Sequence, residues 1–169
     1  MPKRHIAPLV SGRVRLRLLE EADLPMTRAW RNQDHIRKWF FNSDLITPEQ
    51  HQAWWRLYQD RDDDFVFIIE ETETLKRPVG QVAVYNIDWA ARRAEFGRLM
   101  IGDAGAQGQG LARLATSAIV DEALSAWGLR EVYLEVLPEN LPALAIYRGC
   151  GFRELGSHAG VVKMEKRQA

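Results

Sequence analysis

Cysteine is almost missing from this sequence. Cys150 is the only one, so no internal disulfide can form and the chain suits a reducing cytoplasm. Long hydrophobic runs are missing as well. Nothing approaches the roughly 20 apolar residues of a membrane span, and the short apolar stretch after Met-Pro-Lys-Arg-His cannot serve as a signal-peptide core. Net charge is absent: 23 Lys and Arg balance 23 Asp and Glu, which argues against a nucleic-acid or anionic-membrane partner. The four histidines (His5, His35, His51, His158) show no metal-ligand spacing with Cys150 or with one another. No Gly-x-Ser-x-Gly elbow occurs. The sequence therefore reads as a protein without metal, disulfide or serine-nucleophile chemistry.

What is present is enough for one core-forming domain, with 46% hydrophobic residues in 169. Residues 1–12 carry no periodicity and read as a flexible leader, with a single domain over 13–169. Val14, Leu16 and Leu18 alternate with Arg13, Arg15 and Arg17 as in a half-buried strand. A helix is expected from Asp23 to about Trp30. A second is announced by Thr47, Pro48 and Gln50, an N-cap, a first-turn proline and a capping box. Strands follow at 65–70, 79–85 and 94–101. Gly102 to Gly110 then leads into an amphipathic helix from about Leu111 to Trp127, stopped by Gly128. A strand at 131–136, a short helix at 141–149 and strands at 152–155 and 161–166 complete the order βααβββαβαββ. Such an order describes a mixed sheet flanked by helices, an α/β (α+β) architecture.

The most informative stretch is Ile101-Gly-Asp-Ala-Gly-Ala-Gln-Gly-Gln-Gly-Leu-Ala112. A strand ends, a glycine-rich loop turns and a helix begins. That arrangement aims unpaired N–H groups and the positive end of a helix dipole at one point, where an anion can bind. Gly108 and Gly110 allow close backbone approach to a phosphate. No Lys follows Gly110, so the loop is not a P-loop, and Gly108-Gln-Gly110-Leu-Ala-Arg113 does not satisfy GxGxxG.

Gln107, Gly110 and Ala112 match the form [RQ]-x-x-G-x-[GA]. Downstream, Asn140, Ala143 and Tyr147 have the spacing Asn-x-x-Ala-x-x-x-Tyr, and Gly151-Phe152 closes the segment. In these two linked motifs the chain resembles the GNAT acetyltransferases from about Arg13 to Lys166. The resemblance implies a mostly antiparallel central sheet of about six or seven strands, about four helices, and a splay between the fourth and fifth strands. It implies acetyl-CoA as co-substrate, without a metal, and a loop of Gln107, Gly108, Gln109, Gly110, Leu111 and Ala112 around the CoA pyrophosphate. The pantetheine arm is expected along Leu99, Met100 and Ile101, whose backbone would serve it while their side chains pack in the core. A free N–H near Met100 or Ile101 would polarise the thioester carbonyl.

Acetyl transfer to an amine needs a neutral amine, a stabilised oxyanion and a proton for the departing thiolate. Tyr147 matches the tyrosine general acid usual in GNAT enzymes; its other reading is a core tyrosine. Glu95 opens the strand that carries the pantetheine and is the candidate base, directly or through water, against a plain solvent-facing strand residue. Asn140 is a natural N-cap and a candidate cofactor contact, two compatible roles. Cys150 reads as a small packed residue.

The amine is sought in the aromatic N-terminal half. Trp30, Trp39, Trp54, Trp55, Phe40 and Phe41, together with Arg31, Asn32, Arg37 and His51, suit stacking of a base or sugar and holding of an anionic group. Trp30, Arg31, Asn32, Trp39, Phe40 and His51 are the acceptor-site candidates. Their pattern resembles the amino-sugar-nucleotide N-acetyltransferases that make sialic-acid-like sugars such as pseudaminic acid, which implies the 4-amino group of a nucleotide-linked dideoxy sugar as acceptor. Alternatives are a ribosomal-type protein N-terminus, an aminoglycoside or polyamine, or a non-catalytic acyl-CoA sensor. An aminoglycoside or polyamine usually calls for an acidic pocket; Asp60, Asp62, Asp63 and Asp64 form the only notable acidic run, and it reads as a solvated loop. An exposed C-terminal strand is available to pair with a second copy in a homodimer.

Overall fold

The computed structural model describes residues 2–169. Strands β1 (Leu9–Ser11), β2 (Val14–Leu18), β3 (Asp64–Glu71), β4 (Arg77–Asp88), β5 (Arg93–Ile101), β6 (Glu131–Val136), β7 (Arg153–His158) and β8 (Val161–Arg167) form one sheet. Its order is β1-β2-β3-β4-β5-β6-β8-β7. Helices α1 (Leu24–Arg31), α2 (Asp34–Arg37) and α3 (Pro48–Tyr58) precede β3, α4 (Leu111–Leu124) joins β5 to β6, and α5 (Leu141–Gly149) joins β6 to β7. All pairings are antiparallel except β5 with β6.

The period-two geometry of β3 divides the interior. Phe65, Phe67 and Ile69 join the large core with Leu111, Ala115 and Ile119 of α4, while Val66 and Ile68 join Leu24 of α1 and Tyr58 of α3. Burial on both faces explains why β3 reads as a continuous apolar run rather than an alternation. The capping box of α3 forms as its sequence suggests: Gln50 N–H donates to Thr47 Oγ1 and Thr47 N–H to Gln50 Oε1, at 3.1 and 3.0 Å.

Three expectations are corrected. Residues 1–12 are not all a loose leader, because Leu9–Ser11 pairs with β2 at the sheet edge and Arg4 is ion-paired to Asp62 at 2.7 Å. The sheet has eight strands and five α-helices flank it, β1 and the single-turn α2 being the additions. Helix α4 stops at Leu124 rather than near Trp127. Ser125 Oγ donates to Asp121 O at 2.7 Å, and the Trp127 ring packs on Phe65, Phe67 and Trp89 outside the helix.

The feature that positions the site is a fork. Strands β5 and β6 pair only at Arg93↔Glu131, Ala94↔Val132 and Glu95↔Tyr133. Beyond Glu95 they part, and β6 continues alone with β8 through Val136. A bulge assists the divergence. Arg98 has φ +53° within β5, and the register against β4 slips between Gln81↔Met100 and Ala83↔Gly97.

Candidate active site

The loop that follows β5 is tied at both ends. Gln107 Nε2 donates to Ile101 O at 2.6 Å, Gln109 Nε2 to Gly105 O at 2.8 Å, and Gly102 N–H to Val79 O at 2.8 Å. Asp103 accepts from Gly105 N–H and pairs with Arg77 at 2.6 Å, and Arg13 reaches Gln109 O. Gly108 and Gly110 take φ +71° and +75°, the left-handed region where a Cβ is costly. A Cβ at either position would meet no neighbouring atom within 4 Å, so the requirement for glycine there is conformational. Among the described residues, no N–H from Gln107 to Arg113 donates to a protein acceptor. The first turn of α4 contains no acidic residue. The loop thus presents a row of free donors at a helix N-terminus, which fits a pyrophosphate.

From that loop the fork leads inward past Leu99, Met100 and Ile101. Leu99 and Ile101 pack against the main core, and Met100 is buried with Trp30 and Ile36. Tyr147, on α5, packs edge-on against Phe96 of β5 and Phe152, with ring centroids 5.8 and 6.0 Å away. Burial pushes its hydroxyl well above the ordinary phenol value, and among the described residues no hydrogen-bond partner takes that hydroxyl. Tyr147 is thus a core ring whose hydroxyl stays protonated. Asn140 caps α5, its Oδ1 accepting from Ala143 N–H at 3.3 Å. Glu95 stands at the vertex of the fork, where its carboxylate accepts from Tyr85 Oη at 3.1 Å and from Asn86 Nδ2 at 3.0 Å. Tyr85 lies close over the backbone of Gly97, where an added Cβ would come within 2.7 Å of Oη. The Arg98 guanidinium stacks on the Tyr85 ring at 4.0 Å and pairs with buried Asp64 at 2.8 Å.

On the opposite sheet face, α1, α3 and the segment 38–47 enclose a cleft of about 390 Å³. Its walls include Arg28, Arg31, Phe40, His51 and Trp54, and its floor Gln81, Arg98 and Met100 of β4 and β5. Met100 therefore belongs both to the fork and to the cleft. His51 is half-buried, and burial, together with the Arg28 charge, lowers its pKa. Arg28 Nη1 stands 3.4 Å from His51 Nδ1. Since a guanidinium can only donate, Nδ1 accepts and the ring proton resides on Nε2.

The forked parallel pair, the donor-lined loop and the facing cleft meet at one strand end. Residues 13–153 match the family described as Acetyltransferase (GNAT) domain. This chain belongs to the GNAT acetyltransferase family. As a GNAT enzyme it is an N-acetyltransferase that uses acetyl-CoA. Its relatives include the spermidine N(1)-acetyltransferase of Vibrio cholerae, 26% identical over 147 residues that span 87% of this chain and 83% of the relative. A crystal structure of spermidine N-acetyltransferase from that organism, in complex with CoA and spermine, superposes with a TM-score of 0.83 at 26% identity, over 94% of this chain and 97% of the other. A dodecameric structure of the Vibrio cholerae enzyme shares the fold, with a TM-score of 0.75 at 24% identity over 94% and 95% of the two chains.

Within this GNAT site, the residues expected from sequence separate into groups. Arg31, Phe40 and His51 line the cleft. Trp30, Asn32 and Trp39 are not among its lining residues, for a distinct reason in each case. Trp30 is buried against Gly102, where a Cβ would lie 2.0 Å from the indole Cγ, so its ring seats the start of the cofactor loop. Asn32 clamps the cleft wall from behind, donating to Ile46 O and accepting from Ile46 N–H at 2.9 and 2.8 Å. Trp39 lies under the Lys38 ammonium at the surface. The acidic run is largely engaged as well: Asp62 pairs with Arg4, Asp63 with Arg61 and Asp64 with Arg98.

Arg28, Tyr85 and Arg98 were missed. Arg28 had a legible signal, since it stands three residues before Arg31 on the same helical face. Arg98 and Tyr85 had none, because their placement depends on a bulge and on Asp64, distant in sequence. Among the described residues, no group of three or more His, Cys, Asp and Glu side chains is gathered to hold a metal, and no helix is long and apolar enough to cross a membrane.

Proposed function

We propose that this GNAT enzyme acetylates the primary amine of a small molecule seated in the Arg31–His51 cleft. The observation that carries the reading is Met100. It links the fork, where the acyl group is delivered, to the floor of the cleft, where an amine can wait. Acetyl-CoA supplies the acyl group as an activated thioester. The free N–H groups from Gln107 to Arg113 hold its pyrophosphate. Glu95 accepts the proton that the acceptor ammonium must shed, with Tyr85 sharing the hydrogen bond. Tyr147 holds the proton that the leaving thiolate needs, and burial keeps that proton in place at neutral pH.

Of two acceptor readings, the comparisons favour the second, a polyamine, over the sugar nucleotide that the sequence pattern resembles. A nucleotide-linked 4-amino sugar is supported by the aromatic and cationic walls of the cleft, with Phe40 and Trp54 beside Arg28 and Arg31. A polyamine is supported by the relatives, which act on spermidine. We also propose a cytoplasmic setting, supported by the free, buried thiol of Cys150, and self-association through β7, an exposed edge strand.

Thiol release from acetyl-CoA, measured with a nucleotide-linked 4-amino sugar, spermidine, an aminoglycoside and a ribosomal-type N-terminal peptide, tests the function. Turnover on a small-molecule amine is expected. Turnover on the peptide alone would move the enzyme to the protein-modifying branch, and acetyl-CoA binding without turnover on any amine would make it a sensor.

A further inference from the structure

The acceptor cleft contains a cation that the protein itself leaves incompletely satisfied. Arg31 is 8% exposed, yet it has no carboxylate partner among the described residues. One of its nitrogens donates to Asn42 O. The guanidinium stacks on Phe40 at 4.3 Å, and Nη1 is buried without any hydrogen-bond partner. A buried guanidinium is normally paired, because desolvating the charge is expensive. Burial, with Arg37 nearby, pulls its pKa down, and the attraction of exposed Asp44 offsets this only in part.

The neighbours reinforce the imbalance. Arg28, one turn earlier on α1, also lines the cleft and makes no ion pair among the described residues. His51 receives the Arg28 donor on Nδ1, so its Nε2 is a donor as well. Arg98 is neutralised by Asp64. The only carboxylate in the lining is Asp44, which is exposed and therefore screened by water. Of the acidic run, Asp62 and Asp63 pair with Arg4 and Arg61 outside the cleft, Asp64 is taken up by Arg98 of the cleft floor, and Asp60 stands in solvent. A polycation entering this cleft meets donors and positive charge, whereas an acid meets complementary groups.

We infer that the acceptor amine carries an acidic group, a phosphate or a carboxylate, held by Arg31 with Arg28 and His51. This rests on the acetyltransferase reading of the cleft, and it sets the enzyme apart in substrate charge from its spermidine-acetylating relatives. A guanidinium fork matches the paired oxygens of either acid. The residues act as specificity determinants: they orient the acceptor with its amine toward Met100 and take no part in proton transfer.

The test is calorimetric binding to protein already saturated with CoA, so that the pyrophosphate loop is filled and cannot take the probe. UDP, succinate and spermidine are titrated into the wild type, Arg31→Gln and Arg28→Gln. UDP or succinate is expected to bind the wild type and to lose about ten- to a hundredfold in affinity in Arg31→Gln, with a smaller loss in Arg28→Gln. Binding of UDP alone identifies a phosphate, and binding of succinate alone a carboxylate. The inference is overturned if spermidine binds and neither acid does, if no probe binds, or if the acid binds Arg31→Gln as tightly as the wild type. CoA affinity, measured first in each variant, reports that the variant is folded. A wild type that fails to bind CoA would instead sink the acetyltransferase reading itself.

Discussion

The two halves of this site are made of different material. On the proposed cofactor side the groups on offer are main-chain: free N–H groups from Gln107 to Arg113, two glycines at positive φ and the unpaired edges of β5 and β6. On the proposed acceptor side they are side chains, carried by α1, α3 and the segment 38–47. A backbone site binds whatever carries the right phosphate geometry, so it can stay the same while the other half changes. A side-chain cleft is rewritten by a few substitutions. The Vibrio cholerae relative is a spermidine N(1)-acetyltransferase, while this cleft is lined by Arg28 and Arg31, a contrast confined to the half that is free to vary.

The largest effect is expected at Tyr147, the proposed proton donor to the leaving thiolate. Tyr147→Phe should reduce kcat by about a hundredfold and leave the KM for acetyl-CoA nearly unchanged, because the ring contacts with Phe96 and Phe152 survive. The wild-type alkaline limb should show no loss of the acid through pH about 10, the ordinary phenol range, since burial raises this hydroxyl. Unchanged turnover in the variant would reduce Tyr147 to a core ring. Steady-state kinetics across pH measures both.

Gly110→Val sharpens the division. A β-branched residue in the left-handed region costs about 1–2 kcal/mol, so the KM for acetyl-CoA should rise about tenfold with little change in the KM for the acceptor. Equal damage to both would mean that the loop also shapes the cleft. Asn32→Ala probes the other half at smaller amplitude. Loss of its two hydrogen bonds to Ile46 should cost about 1 kcal/mol of stability and raise the acceptor KM about threefold, with acetyl-CoA binding intact. Thermal unfolding and the two KM values check it.

The same contrast explains what could be read in advance. Glycines at 108 and 110 announce a backbone conformation, and the Thr47–Gln50 capping box announces a helix start, because these signals are local. The β5–β6 fork was accessible only through resemblance, since no residue type demands it. Strand β1 is three residues long and owes its existence to pairing with Val14, Arg15 and Leu16, which no periodicity in 1–12 reveals. Tryptophan identity was the least informative. Trp30 is a packing residue because Gly102 leaves it room, and Trp54, on the same sheet face, lines the cleft. Both follow amphipathic spacing, so the sequence could not separate them. Arg98 adopts φ +53° through contacts with Asp64 and Tyr85 that only the fold creates.

The most direct test of this two-material site is amide hydrogen exchange, residue by residue, with and without CoA. Exchange at Gln107 through Arg113 is predicted to slow strongly on binding, while the amides around Arg31, Phe40 and His51 keep their rates. Protection centred on the cleft, with the loop unaffected, would contradict the account.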